Sequence, residues 1–161
     1  DAESFDMIYA SWGVTGWLED LQGWASTLCG LLKPGGSFVY AEGHPFAWTL
    51  EEKDGDHVGA LQAVNHYWQD HAIIEEWPES YTGIKIPSAT RRAVEFAHTL
   101  EDFFTVFLAE KMQLETFREF EGIPWKMYSR MVENPSDGQY YFPAGQTTLP
   151  MGFAMKWTKP V

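Results

Sequence analysis

The sequence predicts an α/β domain: a parallel strand–helix–strand unit, a long irregular insertion, a helix, and a closing antiparallel strand pair. Three observations carry this. Residues 5–11, "FDMIYAS", and 37–42, "SFVYAE", are short and nearly continuously apolar, as strands covered on both faces are. Between them, "WLEDLQGWASTLCGLL" repeats apolar side chains at helical spacing. Near the end, "LPMGFAMKWTKP" alternates apolar and other residues, the period of a strand with one buried face.

The helix is expected over 17–32, with Trp17, Leu18, Leu21, Trp24, Ala25, Leu28, Leu31 and Leu32 on its apolar side. Glu19 and Asp20 near its start and Lys33 at its end suit the helix dipole. Pro34-Gly35-Gly36 should stop it, because proline cannot continue the hydrogen-bond ladder and glycine takes positive φ freely. Strand, helix and strand in about forty residues close as a right-handed parallel crossover. Residues 47–97 have weak periodicity, many aromatics and turn signals such as Lys53-Asp54-Gly55-Asp56. They read as an insertion over one rim of the sheet, with an extended pair that includes 88–97; long loops in compact domains are usually functional. Thr99 and Asp102 form a capping box that opens a helix over 99–112, with Phe103, Phe104, Phe107 and Leu108 as its stripe. Residues 112–121 read as a strand, and 121–148 as a hairpin-like connection. The last strand, 149–158, should run antiparallel to its partner, with Leu149, Met151, Phe153, Met155 and Trp157 on one face.

The totals limit the function. With 161 residues, 45% of them apolar, the chain can bury the core of one domain and is not a disordered segment. Asp and Glu number 23 against 11 Lys and Arg, a net charge of -12 that repels a phosphate backbone; no nucleic-acid partner is expected. The single Cys29 excludes an internal disulfide and, among leucines, reads as a buried, inert thiol. No apolar run reaches transmembrane length and no signal peptide is visible, so no membrane partner and a cytoplasmic location are expected. His57, His66 and His71 lack metal-ligand spacing, and no metal is expected. The 8 Trp, 7 Tyr and 11 Phe suit either an aromatic core or a flat-walled pocket. Trp48, Tyr67, Trp68, Trp77 and Tyr81 are the residues for such a pocket, or for packing the insertion down.

In open α/β sheets, ligands bind outside the carboxyl ends of the strands. Ser11-Trp12-Gly13 and Glu42-Gly43-His44 are the carboxyl ends of the two parallel strands. His44 is the candidate polar active-site group: it can orient a substrate or accept a proton near neutral pH, or His44-Pro45 can be a rigid turn. Glu42 can serve the same rim or pair with a neighbour. His98, between insertion and helix, reads as a substrate contact or a satisfied, partly buried histidine.

These residues resemble a known family. "FDMIYASWGVTGWLEDLQGWASTLCGLLKPGGSFVYAEGHPF" is similar to the fourth strand, fourth helix and fifth strand of class I S-adenosylmethionine-dependent methyltransferases. The Leu-Lys-Pro-Gly-Gly turn before an apolar strand recurs there. Trp17-Leu18 with Asp20, and Glu42-Gly43-His44-Pro45-Phe46, resemble bacterial small-molecule-type members. "FAHTLEDFFTVFLAEKMQLETFREFE" resembles the next helix and strand, and "LPMGFAMKWTKP" the closing antiparallel strand.

The resemblance implies a Rossmann-like methyltransferase sheet, its carboxyl half, with S-adenosyl-L-methionine as cofactor and a small-molecule acceptor. It implies that Ser11, Trp12 and Gly13 touch the cofactor's methionine part, and that Trp17 and Leu18 line its adenosine side or start the helix core. Glu42, His44, Phe46, Trp48 and His98 fall on the substrate side, with His44 the catalytic candidate. The family's glycine-rich loop and ribose-binding acid belong to an amino half absent from these residues. Residues 1–161 are therefore expected to be the carboxyl-terminal part of one methyltransferase domain, with 47–97 as a lid, and methyl transfer is expected of the complete protein. The rival is a non-catalytic binding module that keeps the sheet. In the family, the fourth strand pairs on its other side with the first. Here that edge should be bare and prone to self-association. Many relatives place Ala-Gly after the last helix; Glu110-Lys111 stand here, which predicts a less sharp helix end.

Overall fold

The computed structural model describes residues 2–53, 60–69, 71–76, 84–85, 87, 92–145 and 148–161. The chain begins with strand β1 (Phe5–Ser11), helix α1 (Leu21–Leu31) and strand β2 (Leu32–Gly43). Four short strands follow: β3 (Leu50–Glu52), β4 (Leu61–Ala63), β5 (Ile73–Glu76) and β6 (Arg92–Glu95). Helix α2 (Leu100–Ala109), β7 (Gln113–Phe120), β8 (Val132–Asn134), β9 (Gln139–Tyr141) and β10 (Gly152–Thr158) complete it. The main sheet has the order β1-β2-β10-β7. β1 and β2 are parallel, and β10 is antiparallel to both β2 and β7, as the sequence predicts.

Both helices supply the core on one face of this sheet. Phe38 and Tyr40 of β2, and Phe153, Met155 and Trp157 of β10, are buried against Leu21, Ala25, Phe103 and Phe107. Trp24 meets Phe38, Tyr40 and Phe107 edge-on at 5.5, 5.7 and 5.8 Å. Such rings bring large apolar areas and favour this geometry. Cys29 lies in the same core, and burial first of all pushes its thiol up to about 11, consistent with an inert group.

The structure corrects four local expectations, three of them in β1, α1 and β2. Helix α1 begins at Leu21 rather than Trp17. Asp20 is its cap, its carboxylate accepting the Gly23 N–H at 2.8 Å, which satisfies a donor that the helix cannot. Trp17 instead ends a 3₁₀ turn, Thr15–Trp17. At the other end, β2 starts at Leu32, so Pro34-Gly35-Gly36 lie within the strand as an irregularity: Phe5 pairs with Leu32, but Met7 already pairs with Ser37. The helix stops at Leu31, where the Lys159 ammonium donates to the Cys29 and Leu32 carbonyls at 2.9 Å. It supplies partners for carbonyls at the helix end.

Third, β1 is not covered on both faces. Phe5, Met7 and Tyr9 are 48%, 63% and 62% exposed, and only Ile8 and Ala10 pack on the core. β1 is an edge strand of the described sheet, with β2 its one neighbour.

Helix α2 has the expected cap: Thr99 accepts the Asp102 N–H, and the Asp102 carboxylate accepts the Thr99 N–H at 2.7 Å. Its end is sharper than predicted. Lys111 takes φ +60°, and the Met112 N–H reaches back to the Phe107 carbonyl at 3.0 Å. This is the bond pattern of a glycine-type helix stop, made here with lysine.

A second, smaller cluster sits by the carboxyl rim. Ala47, Ile123, Tyr128, Met131 and Met151 are buried together, with Trp12 and Trp125 packed against them. The Tyr128 hydroxyl donates to the Ala47 carbonyl at 2.7 Å, and the Glu52 carboxylate accepts the Ser129 N–H at 2.9 Å. Residues 121–148 contain the β8–β9 hairpin. Within 47–97, β3 pairs with β4 and β5 with β6, all antiparallel. The extended pair expected around 88–97 is β5–β6; residues 88–91 lie outside the described residues.

Candidate functional site

Just past the carboxyl end of β1, the chain reverses through two successive residues of positive φ, Trp12 at +48° and Gly13 at +78°. The left-handed region costs a non-glycine residue roughly 1–2 kcal/mol, so something must hold Trp12 there. Glu42, at the end of β2, does so. Its carboxylate accepts the Gly13 N–H at 2.7 and 2.8 Å, the Val14 N–H at 3.0 Å and the Gly43 N–H at 2.8 Å. The Tyr40 hydroxyl adds a bond at 3.3 Å and shares another, of 2.7 Å, with Thr15. Burial, and then the charge of Glu42, push the Tyr40 hydroxyl far above its usual titration range. Glu42 is only 7% exposed, yet its charge is met by oriented N–H dipoles. Of its two expected roles, pairing with a neighbour is the one its contacts show.

Around this turn lies a cavity of about 700 Å³. Trp12, Gly13 and Trp17 form its β1 side, and Trp48 and Trp125 close another wall. Trp12 meets Trp125 edge-on at 5.5 Å, while Trp48 and Trp125 stack with centroids 6.4 Å apart. Two glycines shape these walls. A Cβ on Gly43 would stand 2.9 Å from Trp48 Nε1, so glycine lets that indole cross the end of β2. A Cβ on Gly13 would meet nothing within 4 Å, so its backbone faces open space. Tyr67, Gln69, Glu75 and Glu95 line the cavity from the insertion. The Phe96 N–H donates to the Gly16 carbonyl at 2.8 Å, tying β6 to the 3₁₀ turn.

His98 also lines the cavity. Its Nε2–H donates to the Leu18 carbonyl at 2.7 Å, which fixes the tautomer and fastens the approach to α2 onto the turn after β1. His44 is placed differently. It is 5% exposed and is not among the cavity-lining residues. Nδ1 accepts the Phe46 N–H at 3.1 Å, so the proton of the neutral ring is on Nε2. Glu119 Oε1 stands 3.2 Å from Nε2 but off the line of a hydrogen bond, so this contact is mainly electrostatic. Burial pushes the imidazole below its ordinary 6.5, and Glu119 opposes that.

Of the residues expected on the cofactor side, the structure brings Trp12, Gly13 and Trp17 to the cavity and leaves Ser11 and Leu18 off its lining. On the substrate side, it brings Glu42, Trp48 and His98 and leaves His44 and Phe46 away. Tyr67 lines the space; Trp68 is 76% exposed and packs edge-on against Tyr67 at 5.1 Å. Trp77 and Tyr81 lie outside the described residues. Sequence reasoning missed Trp125, Gln69, Glu75 and Glu95. None stands in a motif; only Trp125, an indole after Ile123-Pro124 in a connecting run, carried a faint signal.

No family model and no curated protein matches the chain. Solved structures do. A Listeria monocytogenes protein described as an S-adenosylmethionine-dependent methyltransferase superposes with TM-score 0.68 at 13% identity, over 100% of this chain and 64% of that one. An S-adenosylmethionine-dependent methyltransferase from Mesorhizobium loti gives 0.60 at 18% identity, over 99% and 64%. One from Methanosarcina mazei gives 0.53 at 11%, over 99% and 61%. The chain has the fold of class I S-adenosylmethionine-dependent methyltransferases, and it spans 64%, 64% and 61% of these neighbours' lengths.

Proposed function

We propose that this chain contributes one part of an S-adenosylmethionine-dependent methyltransferase that acts on a small molecule in the cytoplasm. One observation carries the reading: an aromatic-walled cavity of about 700 Å³ at the carboxyl rim of two parallel strands, on a methyltransferase fold. In this reading, residues 1–161 are the carboxyl-terminal part of one domain and 47–97 its lid. Trp12, Gly13 and Trp17 wall the cofactor side, where the open backbone at Gly13 suits a close-lying ligand. The cofactor supplies an electrophilic methyl group on a sulfonium. The chain's task is then to orient the acceptor and exclude water, which gives large accelerations without a dedicated base. His44, held off the cavity, serves as a positioning residue: it anchors the turn after β2 that carries Trp48.

The rival reading, a binding module, draws on the absence of any Gly-x-Gly loop in these 161 residues. One experiment separates the two. The natural polypeptide carrying this sequence is titrated calorimetrically with S-adenosylmethionine, and methyl transfer from labelled cofactor is followed. Saturable binding that weakens at least about tenfold in Gly13→Val supports the enzyme, since valine cannot keep φ +78°. No binding rejects it. The 161 residues alone leave the β1 edge bare and are expected to self-associate through it; a concentration-independent monomer of this chain in sedimentation would remove that element.

A further inference from the structure

We infer that the cavity recognises an acceptor through a cationic amine on a flat apolar body, with the indoles of Trp48 and Trp125 and the Glu95 carboxylate as its recognition groups. The word acceptor rests on the methyltransferase reading. The binding chemistry rests on the cavity itself.

The walls come first. Of the four indoles that line the cavity, Trp48 and Trp125 stack on one wall, and Trp48 remains 53% exposed, with part of its surface free. Indole faces are the strongest aromatic partners for an ammonium within about 6 Å. They also hold flat apolar bodies.

Glu75 and Glu95 bring carboxylates from the β5–β6 hairpin, and no lysine or arginine is among the described residues that line the cavity. Glu42 does not compete, because its lone pairs are spent on backbone N–H groups. Glu95 is the more sheltered of the hairpin pair. Burial, and then the charge of Glu75, hold its carboxyl above the usual range, so a cation arriving there relieves an existing repulsion. Gln69 adds to this: its Oε1 is a buried acceptor with no hydrogen-bond partner among the described residues. Such an atom is costly unless a donor reaches it. Aromatic faces, the Glu95 carboxylate and an orphaned carbonyl ask for one kind of ligand: positive, hydrogen-bond donating and apolar elsewhere. A net charge of -12 draws such ligands in from solution. The charged nitrogen serves recognition and need not be the methylated atom.

The test uses three probes of one shape: phenethylamine, 2-phenylethanol and phenylacetate, titrated by calorimetry and tryptophan fluorescence without cofactor. Phenethylamine should bind about tenfold or more tighter than the alcohol, and phenylacetate weakest. Glu95→Gln should lower amine affinity about tenfold and leave the alcohol unchanged, which also shows that the variant is folded. Its melting temperature at pH 7 should not fall, because the raised carboxyl costs stability once ionised. A purely structural Glu95 would give the reverse: a lower melting temperature and no amine-specific loss. Equal affinities for the three probes overturn the inference. So does displacement of the amine by S-adenosylhomocysteine, which would put the cation at the cofactor's own position. Amine binding without any cofactor binding would sink the methyltransferase reading and leave the recognition chemistry standing.

Discussion

The two clusters of buried side chains are built by different rules. The main-sheet core draws on two helices and two long strands, and its residues recur at helical and strand periods. The rim cluster draws on short strands of three residues and on irregular chain near Ala47, Ile123, Tyr128 and Met151. Polar ties do there what periodicity does in the core: Tyr128 to Ala47, Glu52 to Ser129, and Glu42 to the turn at Gly13. The regular half supplies a rigid floor. The irregular half supplies the walls whose shape a ligand reads.

Truncating the floor should have the largest effect. Trp157 is fully buried between Phe104 and Phe107, and Trp157→Ala should cost about 3–5 kcal/mol in urea unfolding. A loss below about 1 kcal/mol would show that this core does not carry the fold. The joint between floor and walls comes next. Glu42→Ala strips the Gly13, Val14 and Gly43 N–H groups of their acceptor, and should cost about 3 kcal/mol while freeing Trp12 from its left-handed turn. Near-ultraviolet circular dichroism should lose the Trp12–Trp125 signal; an unchanged spectrum would mean that the turn holds itself. The smallest effect is electrostatic and belongs to the rim. His44 titrates below 6.5 when folded, so the unfolded chain binds its proton first. Its stability contribution is present above about pH 6.5 and is lost as pH falls through the folded value. Melting temperatures between pH 7 and 5 should fall, and fall more steeply in Glu119→Gln, where only burial acts on the ring. A shallower slope in that variant would show that Glu119, not burial, governs the group.

The same division explains what the sequence discloses. Periodicity located α1, α2 and β10, short apolar runs located β1 and β2, and the Thr99–Asp102 pair located a helix start. Trp17 and Leu18 misled because helical spacing continues through them, while the Asp20 cap decides the boundary. The exposure of β1 was hidden because an apolar run reads as buried whatever covers it. At the site, rim position pointed to Ser11, Trp12, Gly13, Glu42 and His44, and the family resemblance added Trp17. Trp125 and Glu95 reach the same cavity from segments far apart in sequence, by contacts that no local pattern encodes. His44 differs again. Its place in the chain is at the rim, yet its ring lies beside Phe153 and Glu119 because the strand turns after Gly43.

One feature of the sheet bears on how the protein is made. β10 is the last of the described strands but lies inside the sheet, between β2 and β7. On the ribosome, β7 has no partner in this sheet until residues 152–158 emerge, and the Phe104 and Phe107 side chains of α2 have no Trp157 to meet. At about 5–20 residues per second, the nascent chain spends seconds with apolar strand edges open. Emergence of β10, rather than the folding of any early segment, is the event that closes this sheet, and such non-local pairing is intrinsically slow.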